Sequence, residues 1–352
     1  MASGSPLHDN FTYTDLSQLA PTPRWRSDLA GEELGPLRGI AIAEELVVTS
    51  FEGGTIQAFN WTTGHLGWEA QLDSAVIGSP SLALYRETPL LAVPTANGAI
   101  EALALANGEL LWTMPSSILS GNVSGGLAIG DDGVLYAATD SGWLHAIRPD
   151  NGTAIWSLDL SNSVKFVQTP AVTGAAVFVS SADSVVAIDR DSADMAWQAV
   201  IGSEPTTPPS VAETAGLVFV GSADGSVHAL STLTGKGRWS AQTTSRVVGL
   251  AFHYQLLIAT SEDGNVYAWD IASGTPRWLI NLGGNLAGPP LVGGESVLVG
   301  TRAGSLHVIT AASGLVMNSP PLDLGAEIAV PLAMAPPWLF VATSDALYAF
   351  AP

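Results

Sequence analysis

Residues 263–278 read DGNVYAWDIASGTPRW, and residues 224–239 read DGSVHALSTLTGKGRW. The two align without a gap. Each opens on Asp-Gly, runs through an alternating stretch with Ala sixth, carries Gly twelfth and closes on Trp. The opening pair is a hairpin turn, because Gly accepts positive φ. The alternation is that of a strand.

The same sixteen-residue frame recurs along the chain: GGTIQAFNWTTGHLGW (53–68), NGAIEALALANGELLW (97–112), SGWLHAIRPDNGTAIW (141–156), ADSVVAIDRDSADMAW (182–197) and AGSLHVITAASGLVMN (303–318). An eighth copy, SDALYAFAP (344–352), stops at the end of the sequence. The sixth column is Ala at 58, 102, 146, 187, 229, 268 and 349, with Val308 the exception. The twelfth is Gly at 64, 108, 152, 235, 274 and 314, with Ala193 the exception. Trp25, Trp68, Trp112, Trp156, Trp197, Trp239 and Trp278 repeat at intervals of 39 to 44 residues. A period near 40 is that of one propeller blade.

A short apolar run precedes each copy, such as GLVFVGS (216–222) and QLLIATS (255–261). Another strand opens before it, usually at a Pro or Gly such as Pro170, Pro209 or Pro290. Each unit therefore predicts four strands, A to D, with both faces buried, which accounts for continuously apolar strands. The last unit ends after strand C. PRWRSDL (23–29) has the Trp of a strand D and no strand before it. The expectation is an all-β, eight-bladed β-propeller of four-stranded antiparallel blades at about 41 residues per blade. Its ring is closed by the N-terminal strand completing the last blade. Residues 1–23 are an arm, 24–352 a single propeller domain, and 24–30 the outer strand of the last blade. Such closure removes sheet edges.

This pattern, Gly-x-(Leu/Val)-x-Ala-(Leu/Ile)-Asp-x-x-(Thr/Ser)-Gly-x-x-x-Trp, resembles the repeat of pyrroloquinoline-quinone (PQQ) enzymes, the PQQ-like propeller family. The match covers nearly everything after residue 23. The resemblance implies that the seven Trp are docking residues, each set against a small residue of an adjacent blade. Asn318 stands in the Trp column of blade 7, so the seam there is expected to be the weakest. WD40 repeats would end strands in Trp-Asp, whereas Trp269-Asp270 lies in the wrong column.

Composition bounds the function. There are 32 acidic against 12 basic residues, only two of them Lys (Lys165 and Lys236), for a net charge of −20. A polyanion is repelled, so nucleic acid is not an expected partner. The absence of Cys excludes disulfides, thiolate metal sites and a Cys nucleophile within this sequence. No apolar run is long enough to span a membrane. Residues 1–23 lack the apolar core of a signal peptide. A periplasmic or extracellular location is expected over a cytoplasmic one, with a leader absent from this sequence.

Several clusters invite a chemical reading. Asp189, Asp191 and Asp194 suggest a calcium loop, but they fall in a C–D turn without a terminal Glu. His145, His228 and His307 share one column, yet successive blades spread them apart, so they read as structural residues and not as ligands of one ion. His8, His65 and His253 are isolated. Asn-x-Ser/Thr triplets occur at Asn10, Asn60, Asn122 and Asn151. No catalytic or phosphate-binding motif appears. No cofactor is expected: the blades are near minimal length, leaving no insertions to build a quinone pocket, and no carboxylate group converges as calcium would require.

The candidate binding site is the channel mouth lined by D–A loops. Its residues are Arg38, Asn122, Lys165, Gln168, Arg246 and Glu327, with Ser124, Glu204 and Asn285 nearby. Arg38, Lys165 and Arg246 could hold an anionic ligand or an acidic peptide, or could neutralise Glu204 and Glu327. The leading functional reading is a non-catalytic, monomeric scaffold that binds a protein or peptide, similar in architecture to the outer-membrane assembly lipoprotein BamB. The alternatives are a small-molecule sensor or a minimal quinone-dependent oxidoreductase.

Overall fold

The computed structural model describes residues 11–12, 22–29, 34–85, 88–123, 125–161, 166 and 168–351. They form eight antiparallel four-stranded blades, the architecture of an eight-bladed β-propeller. By contact the chain divides into two compact units of four blades each.

The first unit holds blades 1 to 4. Blade 1 is Leu37–Ala43, Leu46–Phe51, Thr55–Asn60 and Leu66–Gln71, each strand paired with the next. Blade 2 runs from Ser81–Tyr85 to Leu110–Met114, blade 3 from Ala128–Ile129 to Ala154–Asp159, and blade 4 from Ala171–Val172 to Met195–Val200. The middle strands B and C are almost wholly buried, while strand D alternates between exposed and half-buried. That gradient explains the sequence pattern: apolar runs in B and C, amphipathic alternation in D.

The second unit holds blades 5 to 8. Blade 5 runs from Ser210–Ala212 to Gly237–Gln242, and blade 6 from Val247–His253 to Pro276–Asn281. Blade 8 is built from both ends of the chain. Its order is Trp25–Asp28, Ala346–Phe350, Trp338–Ala342, Ala333–Ala335. Trp25 faces Ala349 and Asp28 faces Ala346, so the N-terminal segment is strand D of the last blade. Arg26 reinforces the join, donating from Nε to Tyr348 Oη at 3.2 Å and pairing with Asp345 at 3.3 Å.

Blade 7 departs from the others. Its strand D is only Leu322–Asp323. Asn318, in the Trp column, does with its side chain what a strand backbone does elsewhere. Its Oδ1 accepts from Val308 N at 2.8 Å and its Nδ2 donates to Leu306 O at 2.9 Å. A fifth strand not foreseen in the sequence, Phe11–Thr12, pairs parallel with Leu291–Gly293 at the other side of this blade.

Within each unit the Trp column joins neighbouring blades by one geometry. Trp68 Nε1 donates to Leu105 O, Trp112 to Pro149 O, Trp156 to Arg190 O, Trp239 to Ile271 O and Trp278 to Ala311 O, at 2.7–3.1 Å. All five acceptors stand ninth in the next copy of the repeat. The same rings lie against the twelfth-column glycines. A Cβ on Gly108, Gly152, Gly274 or Gly314 would meet the ring of Trp68, Trp112, Trp239 or Trp278 at 2.4–2.8 Å. These glycines also adopt φ of +68 to +74°. Only Gly satisfies both demands without cost. Ala193 fills the column in blade 4 and takes φ +58° regardless.

Gly152→Ala should therefore destabilise the protein by about 1–3 kcal/mol through overpacking, and Trp112→Ala by about 3 kcal/mol. The double variant should cost clearly less than the sum, because removing the ring removes the clash. Denaturant unfolding of the four proteins checks this. Strict additivity would mean that ring and glycine do not form one joint.

Candidate functional site

The D–A loops start each strand A, and glycines let successive loops touch. In the first unit a Cβ on Gly39 would meet Ser79 Cα at 2.6 Å, and one on Gly78 would meet Gly125 O at 2.2 Å. Gly126 N donates to Thr169 Oγ1 at 2.7 Å. In the second unit a Cβ on Gly249 would meet Pro289 Cα at 2.1 Å. Side chains mounted on these loops thus sit on closely packed backbone.

A second tie fixes each loop to the B–C turn of its own blade. The turn's N–H donates to a loop carbonyl: Asp140 to Asn122, Glu262 to Arg246, Arg302 to Asn285 and Ser344 to Glu327, at 2.8–2.9 Å. Asn122, Arg246, Asn285 and Glu327 are therefore equivalent positions, one per blade. All four are exposed.

The side chains of Asn122 and Glu327, like those of Arg38 and Gln168, are engaged with partners that the sequence reading left out. Arg38 Nη2 pairs with Glu52 Oε2 at 2.6 Å. Asn122 donates from its backbone N and from Nδ2 to the two oxygens of Asp140, at 3.0 and 3.2 Å. Gln168 Nε2 reaches Pro205 O at 3.5 Å. Glu327 pairs with Arg302 at 3.0 Å. Lys165 and Ser124 lie outside the described residues. Within the first unit no hydrogen bond or ion pair joins Arg38, Asn122 and Gln168 to one another among the described residues; within the second, none joins Arg246 to Glu327. The partners Glu52, Asp140 and Arg302 all sit in B–C turns. Each stands immediately before the opening residue of its repeat copy, a position the repeat alignment left out.

The histidine column is packed into the blades. In His145, Nδ1 lies 2.8 Å from Ser157 Oγ and Nε2 3.0 Å from Leu119 O. Tyr267 and Tyr348 in the same column reach Thr244 and Leu324 O, so this column ties strand C to the preceding loop. Burial pushes the pKa of His145, His228 and His307 below the ordinary value of 6.5. Glu101, also in this column and 8% exposed, is pushed the other way, first by burial and then by Asp73. No group of three metal-ligating side chains occurs among the described residues.

The Asp189–Asp194 segment is a turn. Asp189 Oδ1 accepts from the N–H groups of Asp191 and Ser192 at 3.1 and 2.8 Å. The residue that acts there is Arg190, 8% exposed, which donates to Tyr136 Oη at 2.7 Å and pairs with Asp131 at 2.7 Å and with Asp132. It binds blade 4 to blade 3. A buried Arg needs such partners, and no repeat column announces it.

The family model described as outer membrane protein assembly factor BamB matches residues 96–249 and 243–317. The chain belongs to this family. BamB of Yersinia pestis is 25% identical over 261 residues, 70% of this chain and 63% of that protein. The alignment thus spans less than two thirds of that relative. The crystal structure of BamB from Moraxella catarrhalis superposes with a TM-score of 0.73 at 17% identity, covering 94% of this chain and 97% of that one. Quinohemoprotein alcohol dehydrogenase from Comamonas testosteroni gives 0.75 at 13% identity, covering 97% and 78%. At such identities both structures establish the propeller fold alone.

Two pH effects follow. Glu101 titrates higher folded than unfolded, so ionising it costs stability as pH rises past 4.5. Glu101→Gln should raise the melting temperature at pH 8, with the gain fading towards pH 4. The buried histidines titrate lower folded than unfolded, so their neutral forms favour folding above about 6.5 and that contribution is lost as pH falls below it. Melting temperature should decline from pH 6.5 to 5, and His145→Asn should flatten the decline.

Proposed function

We propose that this protein is a non-catalytic propeller that holds protein segments as an assembly scaffold, on the periplasmic or extracellular side and not in the cytoplasm. Membership of the BamB family supports the reading. So does the economy of the loops, whose polar groups brace the blades. The observation that carries it is local. Leu110 and Leu111 stand side by side in strand D of blade 2, 56% and 49% exposed. They lie on the outer edge of a sheet, where an extended segment can add as a further strand.

The exposed side chains of Arg38 and Asn122 in the first unit, with the half-buried Gln168, and separately Arg246 and Glu327 in the second, supply a second contact surface; Lys165, outside the described residues, is proposed to join the first group. With a net charge of −20, the chain favours a partner that carries basic residues beside apolar ones and disfavours nucleic acid. It acts as a monomer without a cofactor. Leu110→Glu combined with Leu111→Lys should cut partner capture in a cross-linking pull-down about tenfold without lowering the melting temperature. Arg38→Ala should reduce it less. Undiminished capture by the double variant would remove blade 2 as the docking edge.

A further inference from the structure

We propose that the second unit carries a binding site for a neutral saccharide, beneath the A–B turn of blade 6. The site is independent of the scaffold reading and lies on other loops. A cavity of about 600 Å³ opens there, lined by Tyr254, Gln255, Leu256, Asp270, Arg277 and the flanking His253 and Ala312. It is a shallow depression open to solvent, of a volume that would admit a saccharide unit.

Tyr254 is the first sign. The turn joining His253 to Leu256 has two residues, and its first takes φ +48°. The equivalent turn of blade 7 puts Gly294 there, at φ +56°. The equivalent turn of blade 1 puts Glu44 there at φ +52°, so the positive φ is the turn's own requirement; what sets blade 6 apart is that a bulky aromatic residue meets it. The strain does not bury the ring, which remains 60% exposed. The ring stands edge-on to His253, centroids 4.6 Å apart at 81°. His253 is itself fixed by Nε2 to Gly294 O at 2.8 Å. The fold thus presents an aromatic ring to solvent at a defined angle.

The polar lining indicates the ligand's charge. Arg277 Nη2 donates to Asp270 Oδ2 at 2.8 Å. Asp270 also accepts from Ser273 N and Oγ at 3.0 and 2.8 Å, and stays ionised, its pKa drawn down to about 2 chiefly by Arg277. The pair is neutral as a unit. An anion would have to compete with Asp270 in a chain of net charge −20, and a cation would meet Arg277. What the pair offers instead is unspent hydrogen-bonding capacity on two planar groups. Arg277 is 51% exposed, with donors beyond the one given to Asp270. The exposed Gln255 amide adds a donor and an acceptor. A sugar ring has C–H bonds on one face, which suit the negative face of an aromatic ring. Its rim of hydroxyls both donates and accepts. Tyr254, Leu256, Gln255 and the Arg277–Asp270 pair supply those complements together.

Titration calorimetry and ligand-observed NMR with glucose, maltotriose and chitotriose test this on the intact protein. At least one neutral trisaccharide should bind in the millimolar range or tighter, with no loss in about 0.5 M salt. Tyr254→Gly is the informative variant: glycine suits the positive φ, so the melting temperature should hold or rise while affinity falls at least about tenfold. Arg277→Met should weaken binding, and Tyr254→Trp should retain it. The proposal is overturned if no sugar of the panel binds at about 10 mM, if Tyr254→Gly binds as well as the parent, or if only charged ligands bind and salt abolishes the effect.

Discussion

The contact on which the structure depends is an indole laid on a glycine. In blades 1, 2, 3, 5 and 6 strand D carries a Trp whose ring needs a gap in the neighbouring blade and whose N–H needs an acceptor. The twelfth column provides the gap by having no Cβ, and the ninth provides a carbonyl. Trp112 on Gly152 with Pro149 O shows the whole device. It combines apolar burial with one satisfied polar group, so a half-buried indole pins two sheets at a fixed distance. Once that distance is set, the hairpins, the loop glycines and the buried strands of each blade follow the same spacing.

Two blades depart from this device. Blade 7 has no Trp, and the Asn318 side chain bonds to the backbone of strand C in its place. Blade 4 has Ala193 for Gly, and there the buried Arg190 adds an ionic tie to Asp131 and Asp132 of blade 3. The Asn318 bonds stay within blade 7, and across the seam Leu306 of blade 7 shares one apolar cluster with Ile328 and Leu339 of blade 8.

The polar residues chosen from the sequence as a mouth site divide by the same logic. Asn122, Gln168, Arg246 and Glu327 lie before strand A as the strand order indicated, whereas Arg38 stands inside strand A of blade 1, at a β-bulge. Their partners could not be read from the strand order. Arg38 pairs with Glu52 and Glu327 with Arg302, contacts between segments separated in sequence by a full strand or more. A candidate that stands free in the sequence turns out to be half of a brace. Tyr254 escaped notice for a related reason: a tyrosine at the end of an apolar strand is unremarkable until its φ and its exposure are known.

By itself the sequence determined the blade count, the four-strand unit, the docking column and the completion of the last blade by Trp25–Asp28, because hairpin glycines, alternation and a repeated Trp are local and recur from blade to blade. Tertiary structure alone decided which carbonyl each indole meets, how Asn318 replaces one, where Arg190 finds its acids and how Tyr254 stands over a cavity. The ninth-column acceptors are Leu105, Pro149, Arg190, Ile271 and Ala311, with no side chain in common. A backbone oxygen is shared by every residue type, so a bond to it leaves no mark in the sequence; only the packing of one blade on the next selects it.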